Sequence, residues 1–262
     1  MNSEKNRAGL LFSVRKVSKI FKTGGGGENR ALEGVSLDIY QGECLLIAGS
    51  NGSGKTLLMK ILAGLMAPSA GEVFFLGENL EKAAVKLRSG MGLVFQDADA
   101  QIVGETVAED IAFGPRNLGL PGDEVRRRVE TALGITGLTG KQDLSPRRLS
   151  GGEKRRLAVA GVMAMGCFAV IMDEPFANLD FPGVVQVLEI IRDLKRRGNT
   201  VIILTHELEK ALAFADRMVI LHRGMIRDTG KPAEVLARLR DEYGIRNPLH
   251  SYSAVEDCTW LG

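Results

Sequence analysis

The chain has 262 residues, of which 45% are hydrophobic, enough for one large α/β domain or two small ones. Lysine and arginine number 34 against 32 aspartate and glutamate, and the resulting net charge of +2 gives no overall field to hold a nucleic-acid backbone. Cys44, Cys167 and Cys258 lie far apart and lack metal-ligand spacing, so we expect reduced cytosolic thiols rather than disulfides or a zinc site.

The N-terminal part of the chain predicts strands. MNSEKNRAGLLFSVRK is charged and holds no apolar stretch long enough for a signal peptide, so we do not expect export. Partial alternation in LLFSVRKVSKIF and in ALEGVSLDI predicts two strands. The glycine run at residues 24–27 predicts a hairpin loop between them, because it lacks the setting of a dinucleotide fingerprint.

A phosphate-binding loop follows. The strand CLLIA, the loop GSNGSGKT at residues 49–56 and the helix TLLMKILAGL stand in the order that this motif requires. Its glycines let backbone N–H groups turn toward phosphate oxygens, and the helix start adds partial positive charge. Lys55 would reach the β- and γ-phosphates, and the Thr56 hydroxyl can ligate Mg²⁺. The predicted nucleotide-binding residues are Gly49, Ser50, Asn51, Gly52, Ser53, Gly54, Lys55, Thr56 and Leu57.

In the middle of the chain, the sequence pattern predicts a strand pair, GEVFFLG and GMGLVFQ. It then predicts helices from about Val107 to Met165, interrupted by GPRNLGLPGD and TGKQDLSP. Gln96 ends the second strand, where its amide could hydrogen-bond a Mg²⁺-bound water and the nucleophile. The apolar residues 157–172 are fewer than the roughly 20 that span a membrane. We interpret them as a helix ending near Gly166 and a buried strand of a parallel sheet.

Polar side chains follow two buried strands. FAVIMDE places Asp173 and Glu174 at a strand's carboxyl end, the edge where open α/β sheets bind ligands. We expect Asp173 to be the metal-side carboxylate and Glu174 to orient or deprotonate an attacking water. His206 follows TVIILT at the same edge and is a third candidate, whereas His222 and His250 are expected at the surface or in a hairpin.

The C-terminal part predicts a hairpin from RMVILHRG and MIRDTG, and helix from Pro232 onward that includes RLRDEYG. Strands and helices together indicate an α/β fold: a parallel-sheet core with an inserted helical subdomain.

The motifs resemble those of the nucleotide-binding subunit of ATP-binding cassette (ABC) transporters over about residues 11–235. The matching segments are GSNGSGKT, Gln96, LSGGE at 149–153, AVIMDEP at 169–175, ANLD at 177–180, and Thr205 with His206. The resemblance implies a P-loop NTPase core, with a mixed and mainly parallel sheet, beside an N-terminal antiparallel β region. It also implies ATP and Mg²⁺ as bound ligands. It divides the chain into an ATPase domain, 1–235, with the helical subdomain inserted at about 105–165, and a C-terminal helix and tail, 236–262, as a dimer contact or a frayed end.

The resemblance also assigns roles to residues. Two chains, identical or paralogous, would sandwich two ATP molecules head to tail. At the helix start Ser150, Gly151 and Gly152 would bind the γ-phosphate held by the other subunit. Asp180 would join the two sites, and the catalytic group would be Glu174, His206, Gln96 and Lys55, with Mg²⁺ at Thr56, Gln96 and Asp173.

Three further residues carry expectations. Phe21 would stack on adenine, although a core position on its strand is the alternative. Arg155 and Arg156 are expected to be solvated or interface charges rather than catalytic groups.

The stretch FQDADAQIVGETVAEDIAFGPRNLGLP resembles the energy-coupling factor (ECF) branch, which imports vitamins, cobalt and nickel. That branch implies two membrane partners, a transmembrane coupling protein and a substrate-binding protein, with this chain peripheral on the cytoplasmic face and no nucleic acid bound. Residues 103–113 would receive the coupling helix, with ordinary helix packing as the alternative. The alternative function is a soluble ABC ATPase of repair, translation or iron–sulfur cluster assembly. Neither the coiled-coil or zinc insertion of the repair members nor a second cassette is present in the sequence.

The signature segment, residues 149–153, departs from the family at Glu153, where glutamine is commoner. A negative charge is tolerated at a helix start. Two interpretations stay open: the added charge suits the helix start, or it tunes closure of the dimer.

Overall fold

The computed structural model of the protein describes residues 9–22 and 26–249. Residues 1–8, part of the 24–27 glycine run, His250, Cys258 and most of the predicted tail lie outside the described residues. In the described ranges no helix combines the length and the apolar character that crossing a bilayer requires.

The strands are β1 (Leu10–Lys22), β2 (Glu28–Tyr40), β3 (Cys44–Ala48), β4 (Ala70–Phe75), β5 (Glu78–Asn79), β6 (Met91–Val94), β7 (Ala169–Asp173), β8 (Thr200–Thr205), β9 (Arg217–His222) and β10 (Met225–Gly230). The helices are α1 (Lys55–Leu62), α2 (Ala84–Gly90), α3 (Val107–Asn117), α4 (Gly122–Ile135), α5 (Gly151–Met165), α6 (Phe181–Arg196), α7 (Leu208–Ala211) and α8 (Pro232–Ala237). Single 3₁₀ turns lie at Pro146–Arg148, Leu212–Phe214 and Asp241–Tyr243.

The larger sheet has the order β10-β9-β3-β8-β7-β6. Its pairs are parallel except for β10, which joins β9 as an antiparallel hairpin. Strand β3 lies between β8 and β9, so the loop that follows β3 leaves the sheet at the middle of its carboxyl edge. This position is where open α/β sheets place their ligands. The fold is therefore a mixed, mainly parallel α/β sheet, as predicted.

The two faces of this sheet belong to two different cores. Alternate β3 residues point to opposite sides, since side chains along a strand alternate. Leu45 and Ile47 face the antiparallel sheet and helix α1, whereas Leu46 and Ala48 face α6 and α8. Because both faces are covered, CLLIA reads as a continuous apolar run rather than an alternating one. The burial of both faces fixes β3, and with it the start of the loop.

The smaller sheet is antiparallel, with the order β2-β1-β4-β5. Strands β1 and β2 flank the glycine run and pair with each other, as the two N-terminal patterns predict. Strand β1 also pairs with β4, with Phe12 opposite Phe75. Their rings lie 5.0 Å apart between centroids and are buried in the first core.

Helices α3, α4 and α5 pack around a third hydrophobic core that includes Val107, Ile111, Leu133 and Leu157. Helix α5 also reaches the larger sheet, where Val159 packs in the second core. Helices α3–α5 form one helical unit. Helix α5, which begins at residue 151, is thereby held between the other two helices of this unit and the larger sheet.

The structure differs from the predicted elements at three places. GEVFFLG and GMGLVFQ are not partners, because α2 carries the chain from β4 in the smaller sheet to β6 in the larger one. The break at GPRNLGLPGD starts later than predicted, since α3 continues to Asn117 through Pro115. A proline in the last turn of a helix removes only one backbone hydrogen bond, and the Leu118 N–H still donates to the Gly114 carbonyl.

The third difference is at the C-terminal end, where RLRDEYG is not a helix. Helix α8 ends at Ala237, and between there and residue 249 the only further element is a 3₁₀ turn at Asp241–Tyr243. Tyr243 and Ile245 are buried in the second core, which the chain reaches by leaving the helix. Gly244 ends the turn at φ 64° and lies against Ser50 of the loop after β3.

Candidate active site

The loop at residues 49–56 has a backbone that favours glycine at two of its positions. Gly52 and Gly54 have φ of 79° and 105°, in the region that favours glycine. A Cβ atom at Gly54 would press on Leu32 and the Ala31 carbonyl of β2. The β9–β10 turn supports the loop from the other side, where the Gly224 N–H donates to the Ser53 carbonyl at 2.9 Å. The loop is therefore held between strand β2 and the β9–β10 turn, and it leads directly into α1.

Lys55 is folded over this loop and is only 5% exposed. Its ammonium group donates to the carbonyls of Gly49 at 2.6 Å and Ser50 at 3.3 Å. It also lies 3.4 Å from Oε1 of Glu174. A buried ammonium needs such partners, because an unpaired charge loses its hydration on burial. An incoming anion would compete with these groups for the same ammonium.

Thr56 and Asp173 meet at the carboxyl end of β7. The Thr56 hydroxyl donates to Oδ2 of Asp173 at 2.7 Å. Oδ1 of Asp173 is buried and has no hydrogen-bond partner among the residues that the structure describes. Burial raises the pKa of Asp173 above its ordinary value of 3.8, since desolvation penalises the carboxylate.

A cation at Asp173 would supply the missing partner for Oδ1 and favour the ionised form. One hydroxyl and one carboxylate suit Mg²⁺, which usually keeps several waters and takes one or two protein carboxylates plus substrate phosphates. The donor set that the sequence predicts thus fits a magnesium ion.

Glu174 turns away from its neighbour Asp173. Its backbone has φ 47°, a left-handed conformation that is uncommon for a residue other than glycine and that clusters at functional sites. Oε2 accepts from the Thr205 hydroxyl at 2.8 Å, and Oε1 lies 2.9 Å from Nδ1 of His206. An ionised carboxylate only accepts, so a hydrogen bond of His206 to it requires a proton on Nδ1. Thr205 and His206 end β8, so two adjacent strands together orient this carboxylate.

A cavity of about 430 Å³ opens above the loop and is lined by Ala31, residues 51–57, Gln96 and Glu174. Its volume lies in the range of ordinary small-molecule sites. The structure therefore brings together the predicted loop, Lys55, Thr56, Gln96 and Glu174 at one cavity, with Asp173 behind Thr56.

Other predicted residues do not line this cavity in the described part of the chain. Phe21 lies on β1 with 39% of its surface exposed and the Lys19 ammonium 5.6 Å from its ring, so the core alternative for Phe21 is wrong. Asp180 caps helix α6, where Oδ1 accepts from the Gly183 N–H at 3.0 Å. Ser150 and Gly151 are exposed at the start of α5.

The start of α5 is a capping box. The Ser150 hydroxyl accepts from the Glu153 N–H, and the Glu153 carboxylate accepts from the Ser150 N–H at 2.8 Å. The same carboxylate is paired with Lys141. The lysine and then the Ser150 N–H hold the pKa of Glu153 below its ordinary value of 4.5. The charge at Glu153 therefore suits the helix start; the expectation about dimer closure stays a prediction.

Two residues that matter to the geometry were not among the predicted site residues. Thr205 is fully buried and orients Glu174, and a polar residue at the last position of an apolar strand could have indicated it. Arg155 is 4% exposed, so the expectation of a solvated or interface charge is wrong. No sequence pattern indicated its burial, because its partners are backbone carbonyls of distant segments.

Comparison with known proteins gives consistent matches. The family profile described as ABC transporter matches residues 32–177. The energy-coupling factor transporter ATP-binding protein EcfA of Methanocaldococcus jannaschii is 40% identical over 209 residues, which cover 79% of this chain and 75% of the relative.

Two solved structures are also similar. CbiO1 from Clostridium perfringens, part of the ABC transporter complex CbiONQ, has a TM-score of 0.77 and 34% identity, covering 89% of this chain and 92% of its own. An ATP-binding cassette solved as a post-hydrolysis dimer with ADP and phosphate has a TM-score of 0.77 and 27% identity, covering 85% of this chain and 99% of its own.

Proposed function

The chain belongs to the ABC transporter family, and from this we propose that it is the ATP-binding and ATP-hydrolysing subunit that energises an ECF-type importer. The similarity to an energy-coupling factor ATP-binding protein and to CbiO1 supports the importer branch. One observation carries the catalytic part: Lys55, Glu174 and the Thr56–Asp173 pair meet at one edge of the sheet, beside a single cavity.

The residues at this edge of the sheet have three different roles in the proposed reaction. Lys55 exchanges Glu174 and the loop carbonyls for phosphate oxygens when ATP binds. Thr56, Asp173 and Gln96 would hold Mg²⁺, which neutralises charge on the phosphate oxygens. Glu174 then accepts the proton of the attacking water, held in place by the Thr205 hydroxyl and by His206.

We propose further that the complete site needs a second chain, either a copy or a paralogue. The start of α5, with Ser150, Gly151 and Gly152, would bind the γ-phosphate held by the partner's loop. Its exposed backbone N–H groups and helix dipole suit an anion. Asp180 would contact the partner near the same place, and Phe21, exposed on β1, would stack on adenine. The dimeric solved cassette supports this arrangement.

The membrane partner would bind beside the helical unit. A groove of about 350 Å³ includes Leu65, Leu87, Val103 and Phe113 among its lining residues. Val103, Leu65 and Phe113 are 61%, 57% and 51% exposed, so this one groove carries several exposed apolar side chains, as partner-binding sites do. We propose that a helix of the transmembrane coupling protein occupies this groove and places the chain on the cytoplasmic face of the membrane. Vitamins or transition-metal ions are the proposed cargo, bound by a separate membrane protein.

We retain as a proposal the division into an ATPase domain, residues 1–235, with the helical subdomain at about 105–165, and a C-terminal segment, 236–262, with a dimer contact. Helices α3–α5 support the subdomain because they enclose their own core.

Glu174→Gln tests the catalytic proposal. We expect the full chain to hydrolyse ATP with Mg²⁺, and the variant to lose at least about 10²-fold in kcat, because the amide cannot accept the proton. ATP binding should persist or tighten, since the charge competing for Lys55 is removed. Steady-state hydrolysis and equilibrium ATP binding measure the two effects. Glu189→Gln, on the exposed face of α6, is the matched control. Near-normal hydrolysis by the Glu174 variant would contradict the assignment.

The importer proposal is tested by affinity purification of the tagged chain from detergent-solubilised membranes of its native cells. We expect a transmembrane coupling protein and a small substrate-binding membrane protein to copurify. Recovery of the chain with neither would contradict the importer.

A further inference from the structure

Arg155 lies in the second turn of α5 and is one of the most buried charged residues in the described structure. Its guanidinium donates to the carbonyls of Phe95 at 3.0 Å and Gln96 at 2.6 Å. A third carbonyl, that of Ala177, lies 3.5 Å away. Burial lowers the pKa of Arg155, and the nearby carboxylates of Asp173, Asp97 and Glu174 counteract that effect. The charge is thus buried at a cost that these partners offset.

The three carbonyls belong to two segments that are far apart in sequence. Phe95 and Gln96 follow β6, and the Gln96 side chain lines the nucleotide cavity. Ala177 lies in the turn between β7 and Asp180, the cap of α6. Helix α5 itself begins at the signature segment. One side chain therefore ties the signature helix to the loop of Gln96 and to the loop of Asp180.

A second contact links α5 to the loop of Gln96. The Lys154 ammonium lies 2.6 Å from the Asp99 carboxylate, three residues beyond Gln96. Arg128 makes a useful contrast: it donates to the carbonyls of Ala164 and Met165, at the other end of α5. Arg128 joins helices within the helical unit, whereas Arg155 joins that unit to the nucleotide cavity.

We propose that Arg155 is a positioning residue that makes Gln96 and the signature segment move as one body. ATP bound in the cavity of one chain would then set the position of helix α5 in that chain, and with it the signature segment that contacts the ATP held by the partner. This inference rests on the proposed function. Within the described residues the hydrogen bonds of Arg155 all go to backbone carbonyls, so it would act through Gln96 and through α5.

The position calls for arginine rather than lysine. A guanidinium presents five N–H donors in a planar fork and can serve carbonyls from two segments at once. A lysine ammonium keeps the charge but places its donors at one point. Arg155→Lys should therefore retain part of the coupling, and Arg155→Met should retain none.

The test compares full-length wild type, Arg155→Lys, Arg155→Met and the control Arg128→Met. Steady-state ATP hydrolysis gives kcat, KM and the Hill coefficient for ATP, and equilibrium binding gives the ATP Kd. We expect Arg155→Met to lower kcat at least about tenfold, from the loss of two or three charge-assisted hydrogen bonds. Its Hill coefficient should fall toward 1, while the ATP Kd stays within about twofold because Lys55 and Thr56 are unchanged. Arg155→Lys should lie between wild type and Arg155→Met.

Arg128→Met should lower thermal stability and leave kcat and the Hill coefficient near wild type. If Arg155→Met does not fold, a lower kcat at unchanged Kd in Arg155→Lys carries the inference. Wild-type kcat and Hill coefficient in Arg155→Lys and in any folded Arg155→Met would overturn it, as would an equal loss of kcat in Arg128→Met. A wild-type chain with no ATP hydrolysis would instead contradict the proposed function.

Discussion

At the scale of single residues, the proposed base Glu174 is held by three neighbours. The Thr205 hydroxyl, His206 and the Lys55 ammonium all lie within 3.4 Å of its carboxylate. In the proposed mechanism Thr205 and His206 would stay when ATP binds, whereas Lys55 would turn to the phosphates. Binding of ATP would then remove one cation from the carboxylate and free it to take a proton.

Thr205→Val tests the orienting role of the hydroxyl. Valine has nearly the same shape but leaves Oε2 of Glu174 without its donor. A hydrogen bond to a charged group is worth about 1.5–3 kcal/mol, so kcat should fall roughly 10- to 100-fold at an almost unchanged ATP Kd. Hydrolysis and binding assays on the purified chain measure this.

The matched control is Thr200→Val, at the other end of the same strand. The Thr200 hydroxyl is buried and accepts from the Gly42 N–H at 2.9 Å, far from the cavity. We expect it to lower stability only. Equal kcat in the Thr205 and Thr200 variants would mean that the Thr205 hydroxyl does not orient the base.

The sequence predicted the placement of the site residues better than their contacts. Lys55 and Asp173 could be placed because a motif and a strand end constrain the backbone at those positions. The contacts of Thr205 and Arg155 could not, since they depend on which way a side chain points and on segments that only the folded chain brings together. The roles of the site residues remain proposals.

At the scale of secondary-structure elements, the start of α5 is stabilised by its own residues before any partner binds. The capping box of Ser150 and Glu153, together with Lys141, satisfies two N–H groups and uses the Ser150 hydroxyl as an acceptor only. A phosphate from a partner would therefore bind through the Ser150 O–H, which is still free to donate, and through the other N–H groups of the first turn. The helix is ordered in advance, which lowers the entropic cost of building the interface.

Glu153→Gln tests the charge in this box through the pH dependence of stability. The folded pKa of Glu153 lies below its ordinary value of 4.5, so its contribution is fully present above pH 4.5. That contribution is lost as the pH falls through the lower folded-state value. The free energy of unfolding of wild type should exceed that of the variant by about 0.5–1 kcal/mol at neutral pH, and this difference should shrink below pH 4.5. Denaturant unfolding at a series of pH values measures it.

Lys141→Met is the control for this effect, because Lys141 is the largest cause of the lowered pKa. In the Lys141→Met protein, Glu153→Gln should change the free energy of unfolding by less, and this change should depend less on pH. A wild-type advantage that stays constant down to pH 3 would show that the charge at Glu153 is irrelevant to the helix start.

Element prediction succeeded where the local pattern governs and failed where tertiary packing governs. Strands β3, β7 and β8 could be predicted because strands buried on both faces are continuously apolar. RLRDEYG looked helical, but burial of Tyr243 and Ile245 draws the chain out of a helix. GEVFFLG and GMGLVFQ were predicted as a strand pair because they are consecutive in the chain. The sequence of a strand does not identify the strand with which it pairs, so this error could not be seen before folding.

At the scale of the whole molecule, one chain presents two unlike halves of the proposed active site. The cavity with Lys55 lies at the sheet edge, and the signature segment with Ser150 does not line it. Head-to-tail pairing of two chains would bring each half to the other under a two-fold axis, as isologous dimers do. A lone chain should then bind ATP and hydrolyse it poorly.

Mixing two inactive variants tests this arrangement. Lys55→Ala removes the cavity cation, and Ser150→Arg blocks the signature segment. In a mixed dimer one of the two sites contains both intact halves, so an equal mixture should recover about a quarter of wild-type hydrolysis if the sites act independently. Each variant alone, at the same total concentration, is the control. A mixture no more active than the two variants alone would contradict a site shared between copies of this chain.

The order of strands in the larger sheet also has a consequence for synthesis on the ribosome. Strand β3 is made early, but its partners β8 and β9 begin only at Thr200 and Arg217, and the turn that lies against Ser50 comes later still. Both edges of β3, the central strand, are therefore unpaired while most of the chain is translated. Such long-range pairing is slow and exposes strand edges to aggregation. The nascent chain should thus depend on chaperones until translation has passed residue 245.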